Sequence, residues 1–303
     1  MKILFISLSN IGDAVMTTPV LQALERIYPD AVFDIVTGKR AAEVFKHYPK
    51  LINLFIKDKQ GFLRGYFDLW QALFKTKYDL IVDLRFDGFV DTLRSKRRLT
   101  KSNKDDRLMH AVEQHMSVIR SISPEQGKVH VISGPTIWLD GALSSFADNI
   151  IKTLSEEFLL SLGPGCGGPE KVWSPPFFAQ ACNQLKDKIS GVILLGGAGD
   201  TAYCREVSEN LEIEYCDMSG KTSILEAAAL IKKTKCFVGN DSGLGHLASA
   251  VTTPTITLFG VGDPERYHPW QKETEWLIGS DQDVNNISVN DVVTLLNNVI
   301  NQS

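Results

Sequence analysis

The densest group of residues able to do chemistry lies between positions 238 and 248, which read VGNDSGLGHLA. A short apolar run ends there in Asn240 and Asp241. Ser242 and the glycines that follow can open a helix whose backbone N–H groups bind an anion. His246 comes one turn later, and a single histidine in that place is more often a packed side chain than a catalyst. The combination of acid, hydroxyl, glycine and imidazole at one strand end nevertheless indicates a ligand site.

A second candidate is the glycine-rich segment 161–173, SLGPGCGGPEKVW. Gly163, Gly165 and Gly168 match the GxGxxG pattern of dinucleotide-binding folds. However, prolines at 169, 175 and 176 prevent a helix from following at once, and no acidic residue ends a second strand about 20 residues on. A phosphate-binding loop is the alternative, with glycine N–H groups and Lys171 contacting the phosphate oxygens. A glycine-rich turn with a solvated lysine fits the sequence equally well.

The third candidate is Asp13, which follows the first apolar run through the segment LSNIGD. The segment opens a helix, so the carboxylate should project at the carboxyl edge of a sheet, where a catalytic base would lie. An acidic residue is also favoured in a first helical turn by the helix dipole, worth about 0.3 to 1 kcal/mol. Position alone therefore leaves both interpretations open.

Basic residues are concentrated in a stretch that has no aromatic side chain to stack on bases, which argues against nucleic acid as a partner. They are Arg94, Lys96, Arg97, Arg98, Lys101, Lys104 and Arg107. Residues 1–150 carry 21 Lys and Arg against 17 Asp and Glu, whereas residues 151–303 carry 11 against 19. The stretch is therefore either a solvated face or a contact for a phosphate-rich acceptor.

Short β-rich runs alternate with helical stretches along nearly the whole chain, which predicts an α/β protein with two parallel sheets. The predicted strands are 2–8, 32–37, 52–56, 80–84, 158–162, 191–195, 213–216, 236–238 and 255–259. Helices are expected at 18–27, 67–75, 108–121, 177–186, 222–232, 245–250 and 289–300. The pattern divides into domains over 1–150 and 151–303, connected by an amphipathic stretch at 146–154, and the closing helix could pack back on the first domain.

The 303 residues have an ordinary globular composition, with 44% hydrophobic and 22% charged residues and a net charge of −4. No apolar run reaches the roughly 18 residues that a membrane span needs. The five cysteines show neither a zinc-ligand nor a disulfide-framework spacing. These features predict a cytoplasmic protein with reduced thiols and no bound metal.

Taken together, the motifs resemble glycosyltransferase family nine, the heptosyltransferases of lipopolysaccharide core synthesis. The resemblance covers nearly the full chain and is carried by NIGD (10–13), TPVL (18–21), YPDA (28–31), YDLIVDL (78–84), LGPG (162–165), KVW (171–173), GGAGD (196–200) and DSGLGHLA (241–248). It implies a GT-B architecture of two Rossmann-like domains, with the acceptor held by the first, the nucleotide-sugar by the second, and the reaction in the cleft between them. It also implies inverting transfer without an obligatory metal or other cofactor.

The resemblance implies roles for particular residues. Asp13 matches the catalytic base and Lys171 a lysine that contacts the diphosphate during catalysis. The donor-binding positions are Gly163, Gly165, Lys171, Asp200 near the ribose, Met218 near the adenine, Asp241, Ser242, Gly243 and His246. For the acceptor we expect Arg94, Arg97, Arg98 and Lys101. The segment 166–170, CGGPE, departs from the family because it lacks the expected phosphate-binding hydroxyl, which leaves the donor identity open.

The sequence therefore predicts an enzyme that moves a sugar, heptose from ADP-heptose by resemblance, onto a phosphorylated glycolipid or lipopolysaccharide-core acceptor. The protein is expected to act as a monomer, with peripheral contact at the cytoplasmic face of the inner membrane. The alternatives are an epimerase-like enzyme of GT-B architecture acting on nucleotide-sugars, a non-catalytic nucleotide-binding protein, and a nicotinamide-dependent oxidoreductase that the prolines disfavour.

Overall fold

The computed structural model describes residues 1–57, 62–86, 88–101, 109–122, 134–154 and 157–302. The chain divides into two compact units, Met1–Trp138 and Leu139–Ser303. The predicted boundary at 150 differs from this division because the helix Gly141–Ile151 packs against the helix Ile224–Lys232 of the second unit. Most of the stretch 146–154, which was predicted to connect the domains, lies within this helix and so belongs to the second unit.

The described part of the first unit contains a sheet of five parallel strands: β1 (Lys2–Ile6), β2 (Val32–Thr37), β3 (Leu51–Ile56), β4 (Tyr78–Asp83) and β5 (Ser95–Thr100). Their spatial order is β3-β2-β1-β4-β5. Strand β5 was not predicted, since its residues were expected to form only a basic polar stretch. Among the residues that the structure describes, β5 pairs with β4 alone. An edge strand of this kind tolerates charge, because its other side faces solvent.

Four α-helices accompany these strands in the described residues: α1 (Ile11–Ile27), α2 (Ala42–Phe45), α3 (Phe62–Phe74) and α4 (Ala111–Ser117). Helix α1 begins seven residues before the predicted 18–27 and contains Pro19. Because Pro19 has no N–H, the carbonyl of Val15 loses its helical donor. The Thr18 hydroxyl replaces that donor at 2.8 Å. The predicted helix 108–121 shortens to α4, and Leu108 lies outside the described residues.

The second unit is built on six parallel strands: β6 (Leu159–Gly163), β7 (Gly191–Leu194), β8 (Tyr215–Asp217), β9 (Cys236–Asn240), β10 (Thr255–Phe259) and β11 (Thr274–Ile278). Their order is β11-β10-β9-β6-β7-β8. Strand β11 was not predicted from the sequence, because it is another partly exposed edge strand with a weak apolar pattern. Counted along the chain, both sheets follow the order of a Rossmann fold, which reverses direction next to the first strand.

Seven α-helices belong to the described residues of this unit: α5 (Gly141–Ile151), α6 (Pro175–Asn183), α7 (Thr201–Ser208), α8 (Ile224–Lys232), α9 (Gly243–Ala250), α10 (Pro264–Tyr267) and α11 (Val289–Gln302). Trp173, Phe178, Val292 and Leu296 are buried together with the apolar residues of the strands. The predicted closing helix packs in the core of the second unit, where its apolar face meets α6 and β10.

Candidate functional site

The strand order places a candidate ligand site beyond the carboxyl ends of β6 and β9. In open parallel sheets, ligands bind where the strand order reverses, since the loops on either side diverge there and leave a crevice. In the second unit this point lies between the neighbouring strands β6 and β9, where Gly163, the last residue of β6, pairs with Gly239 of β9. The glycine-rich segment and the segment 241–248 begin at this point.

Glycine is required where these two strands end. A Cβ on Gly239 would lie 2.8 Å from the carbonyl oxygen of Gly163, and a Cβ on either residue would lie 2.7 Å from the ring of Phe237. Atoms at such distances overlap, so a side chain at either position would push the two strand ends apart. Gly163, which was predicted to contact the donor, and Gly239, which was not, thus together set the distance between the two loops.

Asn240 joins the two loops and was not predicted as a site residue. Its side chain is completely buried; the amide Nδ2 donates to the Pro164 carbonyl at 2.7 Å, and Oδ1 accepts from the Trp173 N–H at 3.0 Å. Both bonds fix backbone of the glycine-rich segment. A polar residue at the end of a buried strand was the signal in the sequence, but its partners lie in a segment that is distant along the chain.

Lys171 and Asp241, both predicted donor-binding residues, form an ion pair. The ammonium Nζ lies 2.6 Å from Asp241 Oδ2, and the two side chains are 30% and 18% exposed. Lys171 ends the short turn Pro169–Lys171, and Asp241 directly follows β9. The sheet thus brings together two charges that are distant in the chain, at an accessible edge where an anionic ligand can reach the ammonium.

Ser242, Gly243 and His246 lie at the start of helix α9. Ser242 is the residue before the helix, in extended conformation, and Gly243 is its first residue. The buried Ser242 Oγ has no hydrogen-bond partner among the residues the structure describes. Buried hydroxyls are normally paired, so this group is suited to a ligand oxygen. His246 is buried within the first turns of the same helix.

Asp200 and Met218 follow β7 and β8 on the other side of β6. Asp200 Oδ2 accepts from the Gly197 N–H at 2.8 Å. A Cβ on Gly165 would lie 2.2 Å from the Asp200 carboxyl group, so the glycine loop rests directly on this side chain. Met218 is buried, and its N–H donates to the Leu194 carbonyl at 3.0 Å. All the predicted donor residues therefore lie at one edge of the second sheet.

Asp13 occupies the first turn of α1, at the corresponding edge of the first sheet. Its Oδ2 accepts from Asn10 Nδ2 at 2.9 Å, and the side chain is partly exposed. The preceding loop is held from both sides. A Cβ on Gly38 would lie 2.6 Å from Ser9 Oγ, and the Arg85 guanidinium donates to the same oxygen. The carboxylate is thus presented by a fixed loop.

Arg85 and Phe86 were not predicted as site residues, although they follow β4 beside this loop. Their backbone N–H groups donate to Asp83 Oδ1 at 2.9 and 3.3 Å. The backbone of Phe86 has a positive φ, and its ring is half exposed. Residues other than glycine rarely adopt this conformation, and strain of this kind is often found at functional sites. The sequence carried no local signal for it, since nothing in RFD requires a left-handed residue.

The four residues predicted to bind the acceptor lie along and beside β5 and do not form one cluster. Arg94 precedes the amino end of the strand and Lys101 follows its carboxyl end, so the length of β5 separates them. The Lys101 N–H donates to the Asp83 carbonyl at 3.0 Å, which places it at the edge occupied by Asp13. Arg97 donates to the Ser121 carbonyl at 3.0 Å, whereas Arg98 donates to the Leu93 carbonyl at 2.8 Å. Lys104 and Arg107 of the same basic stretch lie outside the described residues.

Comparison with known proteins decides the family. The family model described as glycosyltransferase family 9 (heptosyltransferase) matches residues 87–293, well over half of the chain. The chain belongs to glycosyltransferase family 9. It is therefore a glycosyltransferase, and the predicted family and enzyme class are confirmed.

Individual relatives of this glycosyltransferase agree with the assignment. Lipopolysaccharide heptosyltransferase 3 of Escherichia coli (strain K12) is 27% identical over 286 residues, covering 86% of this chain and 82% of that protein. The structure of a family 9 glycosyl transferase from Veillonella parvula matches with a TM-score of 0.88 at 20% identity, over 100% of this chain and 98% of that one. E. coli heptosyltransferase WaaC with ADP matches with a TM-score of 0.79 at 17% identity, over 99% and 100%. These structures confirm the predicted fold class of two Rossmann-like domains.

The segment 166–170, in which a phosphate-binding hydroxyl was expected, carries the thiol of Cys166. Cys166 Sγ lies 3.1 Å from the Gly168 carbonyl, and burial raises the pKa of the thiol, so it stays protonated and donates within its own loop. Full burial likewise raises the pKa of Cys182 to about 12. All five cysteines are free thiols.

Within the described ranges, no group of three or more His, Cys, Asp or Glu side chains is close enough to hold a metal ion. None of the helices in the same ranges is long and apolar enough to cross a bilayer. Whether transfer proceeds without a metal stays a prediction.

Proposed function

We propose that this glycosyltransferase transfers a heptosyl group from ADP-heptose to a lipopolysaccharide-core acceptor, with inversion at the anomeric carbon. The names of its curated relatives support the sugar and the acceptor class, since the protein 27% identical to it is a lipopolysaccharide heptosyltransferase. The WaaC structure was solved with ADP, which supports an adenosine donor. The proposal includes a monomer that meets its acceptor at the cytoplasmic face of the inner membrane and needs no metal.

The observation that carries the proposal is the Lys171–Asp241 ion pair beside the unpaired Ser242 hydroxyl, at the reversal point of the second sheet. An ammonium group, a hydroxyl and the first N–H groups of α9 together suit the oxygens of a diphosphate. Asp241 also offers carboxylate oxygens to the hydroxyls of a sugar. Asp200 and Met218 then lie on the side of β6 where the nucleoside would extend.

In the proposed reaction, the Asp13 carboxylate takes the proton of an acceptor hydroxyl while that oxygen forms a bond to the anomeric carbon. The bond from this carbon to the donor phosphate breaks on the opposite face, and ADP leaves with the electron pair. Lys171 and the N–H groups at the start of α9 offset the negative charge that develops on the leaving phosphate. Fixed donors of this kind are worth about 3 to 4 kcal/mol each when removed singly.

The test is Asp13→Asn, assayed with ADP-heptose and a deacylated lipopolysaccharide-core acceptor. We expect kcat to fall by about 10² to 10⁴-fold, the usual contribution of a positioned base, while the Kd of ADP measured by calorimetry stays unchanged. Asp30→Asn, an exposed carboxylate beyond the end of α1, is the matched control and should behave as the wild type. A folded Asp13→Asn protein with full activity, or one that loses ADP binding equally, would refute the role of the base.

Three readouts separate the proposed reaction from its rivals. The anomeric configuration of the product, determined by NMR, tests inversion. An isomerised nucleotide-sugar formed without acceptor would indicate the epimerase-like alternative. Binding of ADP with no turnover in the presence of acceptor would indicate a non-catalytic binding protein.

A further inference from the structure

Helix α3 presents a row of aromatic rings on its outer side. Leu69 and Leu73 are buried against the first sheet, whereas Phe67 and Phe74 on the adjoining side are 57% and 38% exposed. Trp70, half buried between them, stacks on both: its ring centroid lies 6.0 Å from that of Phe67 and 4.5 Å from that of Phe74. We call Phe67, Trp70 and Phe74 the aromatic ladder. Exposed rings in a continuous row are uncommon on a soluble surface and mark contact sites.

Basic side chains lie at one end of the ladder. Lys75 and Lys77 follow the last turn of α3, and Arg94 is adjacent because its carbonyl accepts the Tyr78 N–H at 3.0 Å. All three side chains are exposed. We call Lys75, Lys77 and Arg94 the basic rim. It lies at the amino edge of the sheet, the edge opposite to the one that carries Asp13, so these charges are not placed to contact the reacting hydroxyl.

The indole N–H of the ladder is already satisfied. Trp70 Nε1 donates to Thr92 Oγ1 at 2.9 Å, in the segment that leads to Arg94. The ring can therefore enter an apolar environment without leaving a buried donor unpaired, which would otherwise oppose insertion. The same bond connects α3 to the chain that carries part of the rim.

We propose that the aromatic ladder and the basic rim bind the surface of a bilayer that contains anionic phospholipids. The occupant follows from the chemistry: aromatic rings favour the level of the lipid headgroups, and lysine and arginine are attracted by the negative surface potential. An amphipathic helix combining an apolar face with flanking cations is typical of interfacial binding. The inference rests on the proposed function in one respect, namely that the acceptor is a lipid-linked molecule.

The test is partition of the full-length protein onto vesicles of phosphatidylglycerol and phosphatidylcholine, measured by sedimentation and compared with phosphatidylcholine alone. We expect binding to the anionic vesicles that weakens as salt is raised. Phe67→Gln/Phe74→Gln, which keeps good helix formers in α3, should lower the partition coefficient about tenfold or more. Lys75→Glu/Lys77→Glu should reduce binding at low salt by more than tenfold, since each basic residue is worth about fivefold.

Matched controls come from the second unit. Tyr215→Gln/Ile278→Gln removes two apolar side chains that are 45% and 55% exposed, and Lys232→Glu/Lys235→Glu reverses two exposed lysines. Both control proteins should bind vesicles like the wild type. With a water-soluble deacylated acceptor, the ladder and rim variants should keep wild-type kcat, so a failure of vesicle binding is distinguishable from a failure of heptosyl transfer.

Three results would overturn the inference. The first is that the ladder and rim variants bind vesicles as well as the wild type does. The second is that the control variants lose as much vesicle binding as the ladder and rim variants lose. The wild type could also form a dimer that Phe67→Gln/Phe74→Gln dissociates, without binding vesicles, in which case the ladder is an interface between copies of this chain.

Discussion

Lys171 and Asp241 hold each other in an ion pair of 2.6 Å. The pair is partly buried, so each charge has already lost part of its hydration and would be costly to leave alone. A diphosphate that reaches Lys171 competes with Asp241 and frees its carboxylate to accept from the hydroxyls of a sugar. In the free protein, Asp241 can therefore hold Lys171 in position for the donor. In the complex, Lys171 can contact the diphosphate and Asp241 the sugar.

We expect Lys171→Ala to weaken ADP binding about tenfold, because a charge-assisted hydrogen bond is worth about 1.5 to 3 kcal/mol and part of that is already spent on Asp241 in the free protein. Calorimetric titration with ADP measures the change. Lys186→Ala is the control, since Lys186 forms an ion pair of the same length with Glu212 on an exposed surface. An unchanged Kd in the Lys171 variant would remove the phosphate contact.

At the scale of secondary structure, the site depends on how the turn after β6 is held. Asn240 bonds this turn at Pro164 and again at Trp173, and the Trp173 indole donates to the Ile287 carbonyl at 3.1 Å. On its other side the turn rests on Asp200 through Gly165. A loop fixed at both ends presents its N–H groups without further loss of entropy when a ligand binds.

Gly165→Ala tests this arrangement. The added methyl group would lie 2.2 Å from the Asp200 carboxyl group, which is itself held by the Gly197 N–H, so the loop must move. We expect a destabilisation of about 1 to 3 kcal/mol, typical of overpacking, together with weaker ADP binding. Gly167→Ala is the control two residues away, where a Cβ meets nothing within 4 Å. Thermal unfolding and ADP titration of both variants measure the difference, and equal behaviour would contradict the packing argument.

At the scale of the whole molecule, charge is divided between the two units. Met1–Trp138 carries 21 basic and 15 acidic residues, a net charge of +6, whereas Leu139–Ser303 carries 11 and 21, a net charge of −10. An excess of one sign attracts ligands of the opposite sign over a distance that salt controls. The positive unit contains Asp13, the proposed base for the acceptor hydroxyl, and the family resemblance implies that this unit holds a phosphorylated acceptor.

We therefore expect the KM for a phosphorylated, deacylated acceptor to rise about threefold between 0.05 and 0.3 M salt, because the Debye length falls below about 10 Å in that range. The KM for ADP-heptose should change less, since its phosphates meet a lysine at short range in a unit that is negative overall. A dephosphorylated acceptor serves as the control and should show little dependence on salt. A phosphorylated acceptor whose KM does not vary with salt would exclude steering by the first unit.

The interior strands could be predicted from the sequence because their signals are local. Strands β2 and β10 were predicted with their exact bounds, and the others of the interior within a few residues, since each is an apolar run that ends in a glycine or a polar residue. Of the four edge strands in the described residues, β3 and β8 were predicted within two residues of their observed bounds, whereas β5 and β11 were missed. An edge strand is half solvated and paired on one side, so its residues need not be apolar.

The amino-acid sequence by itself determined the two-sheet α/β class, the family, and the residues that gather at the strand ends, because these depend on local periodicity and on short motifs. Only the tertiary structure decided that Lys171 meets Asp241, that Asn240 joins the two loops, that Arg85 contacts Ser9, and that the basic residues of β5 are spread along a strand. It also moved the domain boundary to Trp138. Each of these depends on contacts between segments that are distant in the chain, and such contacts leave no pattern in the residues on either side.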